Sequence, residues 1–541
     1  MSYSLAYQLR WAWNLTKGYR LQLLGVLLME LAGIALMLLF VYGSKLSIDI
    51  AMGEVQGSLK ATLGWTVGSV LGGVFLRLAS NRLSESIRVR MTISLQRDLI
   101  EGQMLTTWKF VKDWHTGDLV QRIQTDGAEV VVMLSQSAIY FFVTVVQLLA
   151  SFGFLWTMDP MLAFMIVAIS PLFLFSKLYF RKMRKLNREV KSAESNFAKV
   201  MQENLKFRVL VRALGLTPMR SQKLSQSQED IYDLKMSQLN FSTLTQGIIK
   251  ITINGGYLLT FIWGVFRLQA GQISFGTMTA FLQLVGRIQT PILQSVGFFP
   301  LFIRFRTSVD RLLELENNEK ELIKESTYLS NPTKIQLENV YFRYDDNTII
   351  DNLNAEIEYG KPTAIIGSSG KGKTTLIRLF LALIKPEKGN IWIENNGEQL
   401  GLSSEHRINF AYVPQGNTLF SGTIRENLTI NKEIATEDRI NYVLHLACAE
   451  FVYDLPDGLD TLVGESGYGL SEGQGQRIAI ARAMMQETSI WLFDEVTSAL
   501  DKDTADRLVE RLLIAGQSKL ILFVTHDLHL SNKCSQTIFM N

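Results

Sequence analysis

Eight consecutive residues constrain this chain more than any others: Gly367-Ser368-Ser369-Gly370-Lys371-Gly372-Lys373-Thr374. They follow the apolar run Thr363-Ala-Ile-Ile366 and lead into Thr375-Leu-Ile-Arg-Leu-Phe380, which has the pattern of a helix start. Strand, glycine-rich loop and helix form the order in which free backbone N–H groups converge on a phosphate at a helix N-terminus. Gly367, Gly370 and Gly372 let the loop curl so that successive N–H groups face one anion. Lys373 is predicted to reach the β- and γ-phosphates, and the Thr374 hydroxyl to hold Mg²⁺. An ordinary turn before a helix needs neither this spacing nor this lysine, so residues 367–375 are read as a nucleoside triphosphate site.

The rest of the chain divides unevenly around that loop. At 541 residues it exceeds one domain. The first three hundred or so residues hold nearly all the long apolar stretches, whereas residues 325–541 alternate like a soluble α/β domain. A mean hydropathy of +0.14 with 47% hydrophobic residues fits a chain half in a membrane and half outside it. The net charge of +3, with no basic arm, gives no reason to expect a nucleic acid partner. Cys448 and Cys534 are the only cysteines, which suits a reducing cytoplasm and offers no paired metal spacing. Arg10, Lys17 and Arg20 precede the first apolar run and no small-residue cleavage site follows, so the N-terminus is read as a retained anchor.

Spanning a bilayer as a helix takes about 20 mainly apolar residues. Six candidate spans meet that need: residues 21–42, 61–78, 134–158, 161–180, 243–266 and 273–303. They make residues 1–318 a membrane domain, with 319–332 as linker and 333–541 as nucleotide-binding domain. Six spans put both termini on one side. The long connections carry many cations, among them Arg82, Arg88, Arg90, Arg97, Arg181, Lys182 and Arg184, while the opposite connections hold few beyond Lys45, Lys60 and Arg267. The positive-inside rule therefore places the long connections, both termini and the nucleotide domain in the cytoplasm. The long connections read as amphipathic helices leaving the membrane, each broken once, at Thr106–Trp114 and at Ala213–Arg220.

Ionisable residues within spans are costly and mark candidate sites. Glu30, Arg77, Lys250 and Arg287 are of this kind, and Gln147, Asn254, Gln283, Gln289 and Gln294 add polar groups. Together they predict a water-filled path lined by the first, second, fifth and sixth spans, with Pro291 and Pro300 kinking the sixth around it. Arg77 and Lys250 are read as snorkelling to the interface, and Glu30 and Arg287 as lining the path. The excess of cationic groups points toward an anionic or amphipathic cargo.

Downstream of the phosphate loop, Lys334–Tyr344 reads as a strand ending in an aromatic pair, and Phe410–Gln415 as a strand ending in glutamine. Leu470-Ser471-Glu472-Gly473-Gln474 precedes a helical stretch. Ser489-Ile-Trp-Leu-Phe-Asp494-Glu495 runs apolar residues into two carboxylates. Ser498-Ala-Leu-Asp501 and Leu520-Ile-Leu-Phe-Val-Thr-His526-Asp527 follow. In this order and spacing the chain resembles the ATP-binding-cassette transporters, specifically exporter half-transporters with six spans fused ahead of one nucleotide domain. Thr418–Leu428, Gly464-Glu-Ser-Gly467 and His115–Ile123 also resemble exporter segments. The resemblance implies an α-helical membrane domain with long cytoplasmic extensions, followed by an α/β P-loop ATPase.

Site roles follow from the same resemblance. Tyr344 would stack on adenine; Lys373 and the loop amides would hold phosphates; Thr374, Gln415 and Asp494 would hold Mg²⁺. A carboxylate straight after an apolar strand needs such partners if it is buried. Glu495 would act as general base on the attacking water, and His526 would stabilise charge near the γ-phosphate. Ser471 and Gly473 would close over the γ-phosphate of ATP held by a second subunit, the free N–H groups of a helix start supplying the attraction, and Gln474 and Asp501 are read as further nucleotide-binding residues. The two breaks in the cytoplasmic rods would be coupling helices.

Two residues depart from the family pattern: Lys371 at a position usually small, and Glu472 where glycine is usual. Members of the family also usually continue through a further strand turn and helices, whereas this sequence stops at Thr537-Ile-Phe-Met-Asn541. The reading that results is an ATP-driven exporter of an amphipathic lipid, peptide, glycolipid or drug in the cytoplasmic membrane, acting as a homodimer with ATP and Mg²⁺. A heterodimeric half and an ATP-gated channel or regulator are its alternatives.

Overall fold

The computed structural model describes residues 3–540 apart from 112–113, 115, 170–175, 323, 369, 417, 431–435 and 465–468. It forms two compact units. One comprises Met1–Met104 with His115–Asn317, the other Leu105–Trp114 with Asn318–Asn541.

The first unit is helical. α1 (Leu5–Leu15) and α2 (Arg20–Ala51) precede α3 (Leu59–Met104), and α4 (Trp108–Val111) falls in the second unit. α5 (Thr116–Gln121), α6 (Gly127–Val132) and α7 (Ala138–Met158) are joined by π-helical turns at Arg122–Asp126 and Met133–Ser137. α8 (Pro160–Ile169), α9 (Ser176–Lys206), α10 (Arg208–Ala213), α11 (Thr217–Gln269) and α12 (Phe275–Glu316) complete it. Among the described residues four helical stretches are long and apolar enough to cross a membrane: Arg20–Ala51, Leu59–Met104, Thr116–Met158 and Thr217–Gln269. They hold the first, second, third and fifth expected spans. The fourth opens as α8 and runs into residues outside the description. The sixth lies in α12, which is 42 residues long and carries Pro291 and Pro300 in its interior.

Small residues let these helices approach closely, as apolar helices require where lipid supplies no hydrophobic drive. A Cβ on Gly43 would lie 2.5 Å from Thr66 Oγ1, and one on Gly276 2.4 Å from the carbonyl oxygen of Lys45. The Gly276 N–H instead donates to Asp49 Oδ1 at 3.1 Å, tying the start of α12 to the end of α2. Phe281, Leu284 and Ile288 of α12 pack with Leu155, Leu162 and Ile166 in a cluster fully withdrawn from solvent. The turn between α7 and α8 is fixed by buried Asp159. Its carboxylate accepts from Leu162 N (3.0 Å) and Trp263 Nε1 (3.1 Å) and pairs with Arg267 Nη2 (3.1 Å).

Of the ionisable residues expected along the path, Arg77, Lys250 and Arg287 are all exposed, whereas Glu30 is half-buried. None of the three exposed cations lines the cavity near Glu30.

The second unit pairs an antiparallel sheet with a parallel one. β1 (Pro332–Tyr344), β2 (Asn347–Glu358), β4 (Lys388–Asn395) and β5 (Glu398–Gly401) run in the order β2-β1-β4-β5. β3 (Thr363–Ile366), β6 (Phe410–Val413), β9 (Ile490–Asp494), β10 (Leu520–Thr525) and β11 (Gln536–Phe539) form β11-β3-β10-β9-β6, every pair parallel. β7 (Gly422–Thr423) and β8 (Leu462–Val463) make a small ribbon. All five residues of β9 and all six of β10 are buried, which is why both read as unbroken apolar runs. Phe493 and Phe523 stack across the two strands at 5.0 Å between ring centroids, burial worth about 1.5–3 kcal/mol for each ring. The helices are α13 (Lys373–Phe380), α14 (Ile424–Leu428), α15 (Glu437–Leu446), α16 (Glu472–Met484), α17 (Lys502–Ala515) and α18 (Leu528–Asn532). The last residues close the sheet edge, with Met540 N donating to Ile366 O at 2.7 Å.

Two segments expected as connections are docked on this unit. Glu321 takes a two-pronged bond from Arg407, at 2.7 and 2.6 Å, and Leu329 is buried with its N–H on Asn409 Oδ1. Thr107 N donates to Glu319 O at 2.9 Å and Glu321 N to Leu105 O at 2.7 Å, so the first break in the cytoplasmic rods pairs with the start of the cassette.

Candidate nucleotide site

The carboxyl ends of β3, β10 and β9 sit side by side, with the phosphate loop following the first, His526 the second and Glu495 the third. β3 opens into the phosphate loop. Gly370 and Gly372 have φ of +85° and +88°, and a Cβ on Gly372 would lie 2.7 Å from Ile349 Cγ2, so glycine is required there on both counts. α13 begins at Lys373. Thr374 and Lys371 are exposed, Thr375 is buried, Gly367 and Ser368 lie in the loop, and Ser369 is outside the described residues.

Glu495 is the hub. Its backbone holds φ of +48°, a region that costs a non-glycine residue roughly 1–3 kcal/mol. Four bonds fix it: Glu495 N donates to Val524 O (2.9 Å), and its carbonyl accepts from Gln476 Nε2 (3.0 Å), Ser498 Oγ (2.9 Å) and Ser498 N (3.2 Å). The side chain meets three predicted site residues. Gln415 Nε2 donates to Oε2 at 2.7 Å, His526 Nδ1 stands 3.3 Å from Oε1, and Lys373 Nζ is also 3.3 Å from Oε1. Lys373 is nine-tenths buried and its Nζ donates to Gly367 O at 2.8 Å. A carboxylate held this way can take a proton from water, beside a cation that can hold phosphate.

Asp494 is buried at the end of β9, and burial pushes its carboxyl up to about 6, with Glu495 adding to the rise and Lys373 and Arg378 opposing it. A buried acid that has Lys373, the first residue of α13, within its electrostatic reach, together with the exposed Thr374 hydroxyl that follows that lysine, suits a divalent cation, which would supply the charge that burial withholds. The residues present therefore fit Mg²⁺ with ATP. Next to it, Tyr412 is raised to about 12, first by burial and then by the Asp494 charge.

At the end of β1, Tyr344 is half-buried, edge-on to Phe342, and its hydroxyl accepts from Arg378 Nη1 at 2.9 Å. Arg378 also lies over the Trp108 ring of α4, 4.4 Å from its centroid. Neither Arg378 nor Trp108 was expected at the site from sequence. An aromatic residue in an otherwise polar break, and an arginine one turn and a half beyond the loop lysine, were the available signals.

The remaining predicted residues are placed as follows. Ser471 caps α16: its Oγ accepts from Gln474 N at 3.2 Å, and Gln474 Oε1 accepts from Ser471 N at 2.9 Å. The Gln474 side chain is thus turned back on its own helix start, and Asp501 likewise caps α17 by accepting from Thr504 N at 2.9 Å. Glu472 is exposed in the first turn of α16, where a negative charge favours the helix dipole. A Cβ on Gly473 would meet Ala499 O at 2.6 Å, so glycine lets α16 approach the 499–500 turn. Of Gly464-Glu-Ser-Gly467, residues 465–467 lie outside the described residues.

A phosphate loop, a buried acid and a braced glutamate on a parallel sheet define a P-loop ATPase cassette carried by a chain with membrane-spanning helices. Family models agree: residues 23–292 match the ABC transporter transmembrane region and residues 350–498 the ABC transporter domain. The chain belongs to the ABC transporter family, and its cassette is an ABC-type ATPase coupled to transport. It is 28% identical over 530 residues to the uncharacterized ABC transporter ATP-binding protein YfiB of Bacillus subtilis, covering 94% of this chain and 91% of that protein. It is 26% identical to the leukotoxin translocation ATP-binding protein LktB of Mannheimia haemolytica, covering 83% of this chain but only 64% of that protein's length. In fold it is similar to a bacterial Atm1-family ABC exporter with ATP bound, at a TM-score of 0.78 and 21% identity, covering 96% and 94% of the two chains.

Proposed function

We propose that this chain is one half of an exporter that hydrolyses ATP to move an amphipathic cargo out of the cytoplasmic leaflet of the cytoplasmic membrane, working as a homodimer. The convergence of Lys373, Gln415 and His526 on the Glu495 carboxylate carries the reading. Lys373 exchanges Glu495 for the phosphates of ATP. Glu495, released from that pair and still oriented by Gln415, accepts the proton of the attacking water. His526 is placed to donate toward the oxygens on which charge develops. Tyr344, steadied by Arg378, stacks on the adenine. Mg²⁺ held by Asp494 and Thr374, with Gln415 near, would neutralise phosphate charge as it shifts.

Dimerisation is supported from both units taken singly. At the start of the 13-residue α16, Ser471 and Gln474 cap each other's N–H groups, which leaves the Glu472 and Gly473 N–H groups at the positive end of the helix for the phosphate of a second copy's ATP. At the cytoplasmic end of α9 to α11, Leu205, Val209 and Leu214 are 60%, 75% and 60% exposed, an apolar tip that asks for a covering surface. The test is hydrolysis by the purified chain in lipid. Vanadate-sensitive turnover that Lys373→Ala removes is expected, and a chain that binds ATP without hydrolysing it would overturn the reading in favour of an ATP-gated channel or regulator.

A further inference from the structure

The membrane unit holds a half-open cavity of about 730 Å³ between α2, α3, α7 with the π-turn before it, and α12. The third span takes the place that sequence gave to the fifth. One wall is apolar and aromatic: Phe141 and Phe298 stack at 4.2 Å between centroids, with Tyr140 beside them. The other is polar and contains no lysine or arginine among its lining residues. Its two acids differ. Glu85 is already paired, with Arg88 Nη2 at 2.6 Å and Gln136 Nε2 at 2.8 Å. Glu30 accepts one bond, from Ser80 Oγ at 2.6 Å, and has no cationic partner among the described residues.

Glu30 stands ten residues into α2, about 15 Å along the helix and so near mid-bilayer depth. A charge at that depth without a counter-ion is costly and is retained where it pairs with something that comes and goes. The π-turn Met133–Ser137 supports the same assignment, because it turns the consecutive Ser135, Gln136 and Ser137 toward the cavity, and such turns gather at functional sites.

We propose that this cavity binds a lipophilic monocation: an ammonium or phosphonium centre against Glu30, with its apolar body on Phe141 and Phe298, where ring faces add cation–π attraction. The inference rests on the export reading and names its cargo class. Of the anionic or amphipathic cargo expected from the excess of basic residues in the spans it keeps the amphipathic part and not the negative charge, since Arg77, Lys250 and Arg287 do not line this cavity.

Tetraphenylphosphonium and tetraphenylborate have nearly the same shape and opposite charge, so they form the test. Binding of each to the full chain in lipid nanodiscs is measured without nucleotide, after subtraction of empty discs. Saturable binding of the cation, weakened about tenfold or more in Glu30→Gln and restored in Glu30→Asp, is expected. Equal or preferential binding of tetraphenylborate, or cation binding unchanged in Glu30→Gln, overturns the assignment; the comparison in the unaltered chain decides even if the variant fails to fold. ATP hydrolysis read on the same discs separates the two claims. Turnover without charge-selective binding sinks the cavity assignment alone, and charge-selective binding without turnover sinks the export reading while leaving the cavity assigned.

Discussion

The ammonium of Lys373 stands 3.3 Å from the carboxylate of Glu495, and both side chains are largely buried, at 10% and 15% exposure. The cation proposed to hold phosphate is thus paired with the carboxylate proposed to take the proton of the attacking water. Removing the charge on Glu495 frees that lysine. Glu495→Gln is expected to bind ATP about fivefold more tightly, the scale of one partly screened ion pair, as read by nucleotide titration of the variant against the parent.

Arg378 joins the docked α4 to Tyr344, the residue proposed to stack on adenine, with the Trp108 ring at 4.4 Å and the Tyr344 hydroxyl at 2.9 Å. Arg378→Met is expected to raise KM for ATP several-fold by loosening Tyr344, and to speed amide exchange in residues 105–111. A double-mutant cycle with Trp108→Leu should give a coupling of about 0.5–1 kcal/mol. Additive effects would show that the two contacts act separately.

Burial raises Asp494 from the usual aspartate value to about 6. Between roughly pH 4 and 6 the folded cassette keeps a proton that the unfolded chain has released, so this group's contribution to stability falls as pH rises through that window. In nucleotide- and magnesium-free protein, Asp494→Asn is therefore expected to melt higher than the parent at pH 7.5, by an amount on the order of 2–3 kcal/mol. The gap should close below about pH 4. A gap independent of pH would remove the burial argument.

Much of the site was legible in sequence because its residues lie where regular elements end. Thr363–Ile366, Ile490–Asp494 and Leu520–Thr525 are mainly apolar runs long enough only for buried strands; the first leads into the phosphate loop at Gly367, and the other two are followed by Glu495 and His526. What stayed hidden depends on pairing between distant segments. Nothing local says that Gln476 braces the Glu495 carbonyl. The caps that Gln474 and Asp501 give α16 and α17 are local, and their signals are Ser471-x-x-Gln474 and Asp501-x-x-Thr504. The cavity was misassigned for a related reason. Polar residues in a span show which helices carry polarity but not which way it faces, and the π-turn that brings in the third span leaves no periodic trace.

Gly276 is pressed against the carbonyl of Lys45 and the carboxylate of Asp49. Backbone cannot retreat as a flexible side chain would, so Gly276→Ala is expected to cost about 1–3 kcal/mol, read as a lower melting temperature of the full chain in detergent. Gly43→Ala meets a threonine side chain and is expected to cost less.

Burial lifts the Cys534 thiol to about 11 and also raises Cys448, which is 4% exposed. Neither is expected to be alkylated by iodoacetamide at pH 7.5 while the cassette is folded, and both should react in guanidinium, as counted by intact mass. Rapid modification of the native chain would contradict the packing around α17 and α18.

Glu495 as the base that activates water is the claim on which the transport account turns. Single-turnover hydrolysis of radiolabelled ATP by Glu495→Gln in lipid tests it most directly. The account predicts that the variant retains bound, intact ATP with turnover reduced by about 10²–10⁴. Hydrolysis at the parent rate would contradict it.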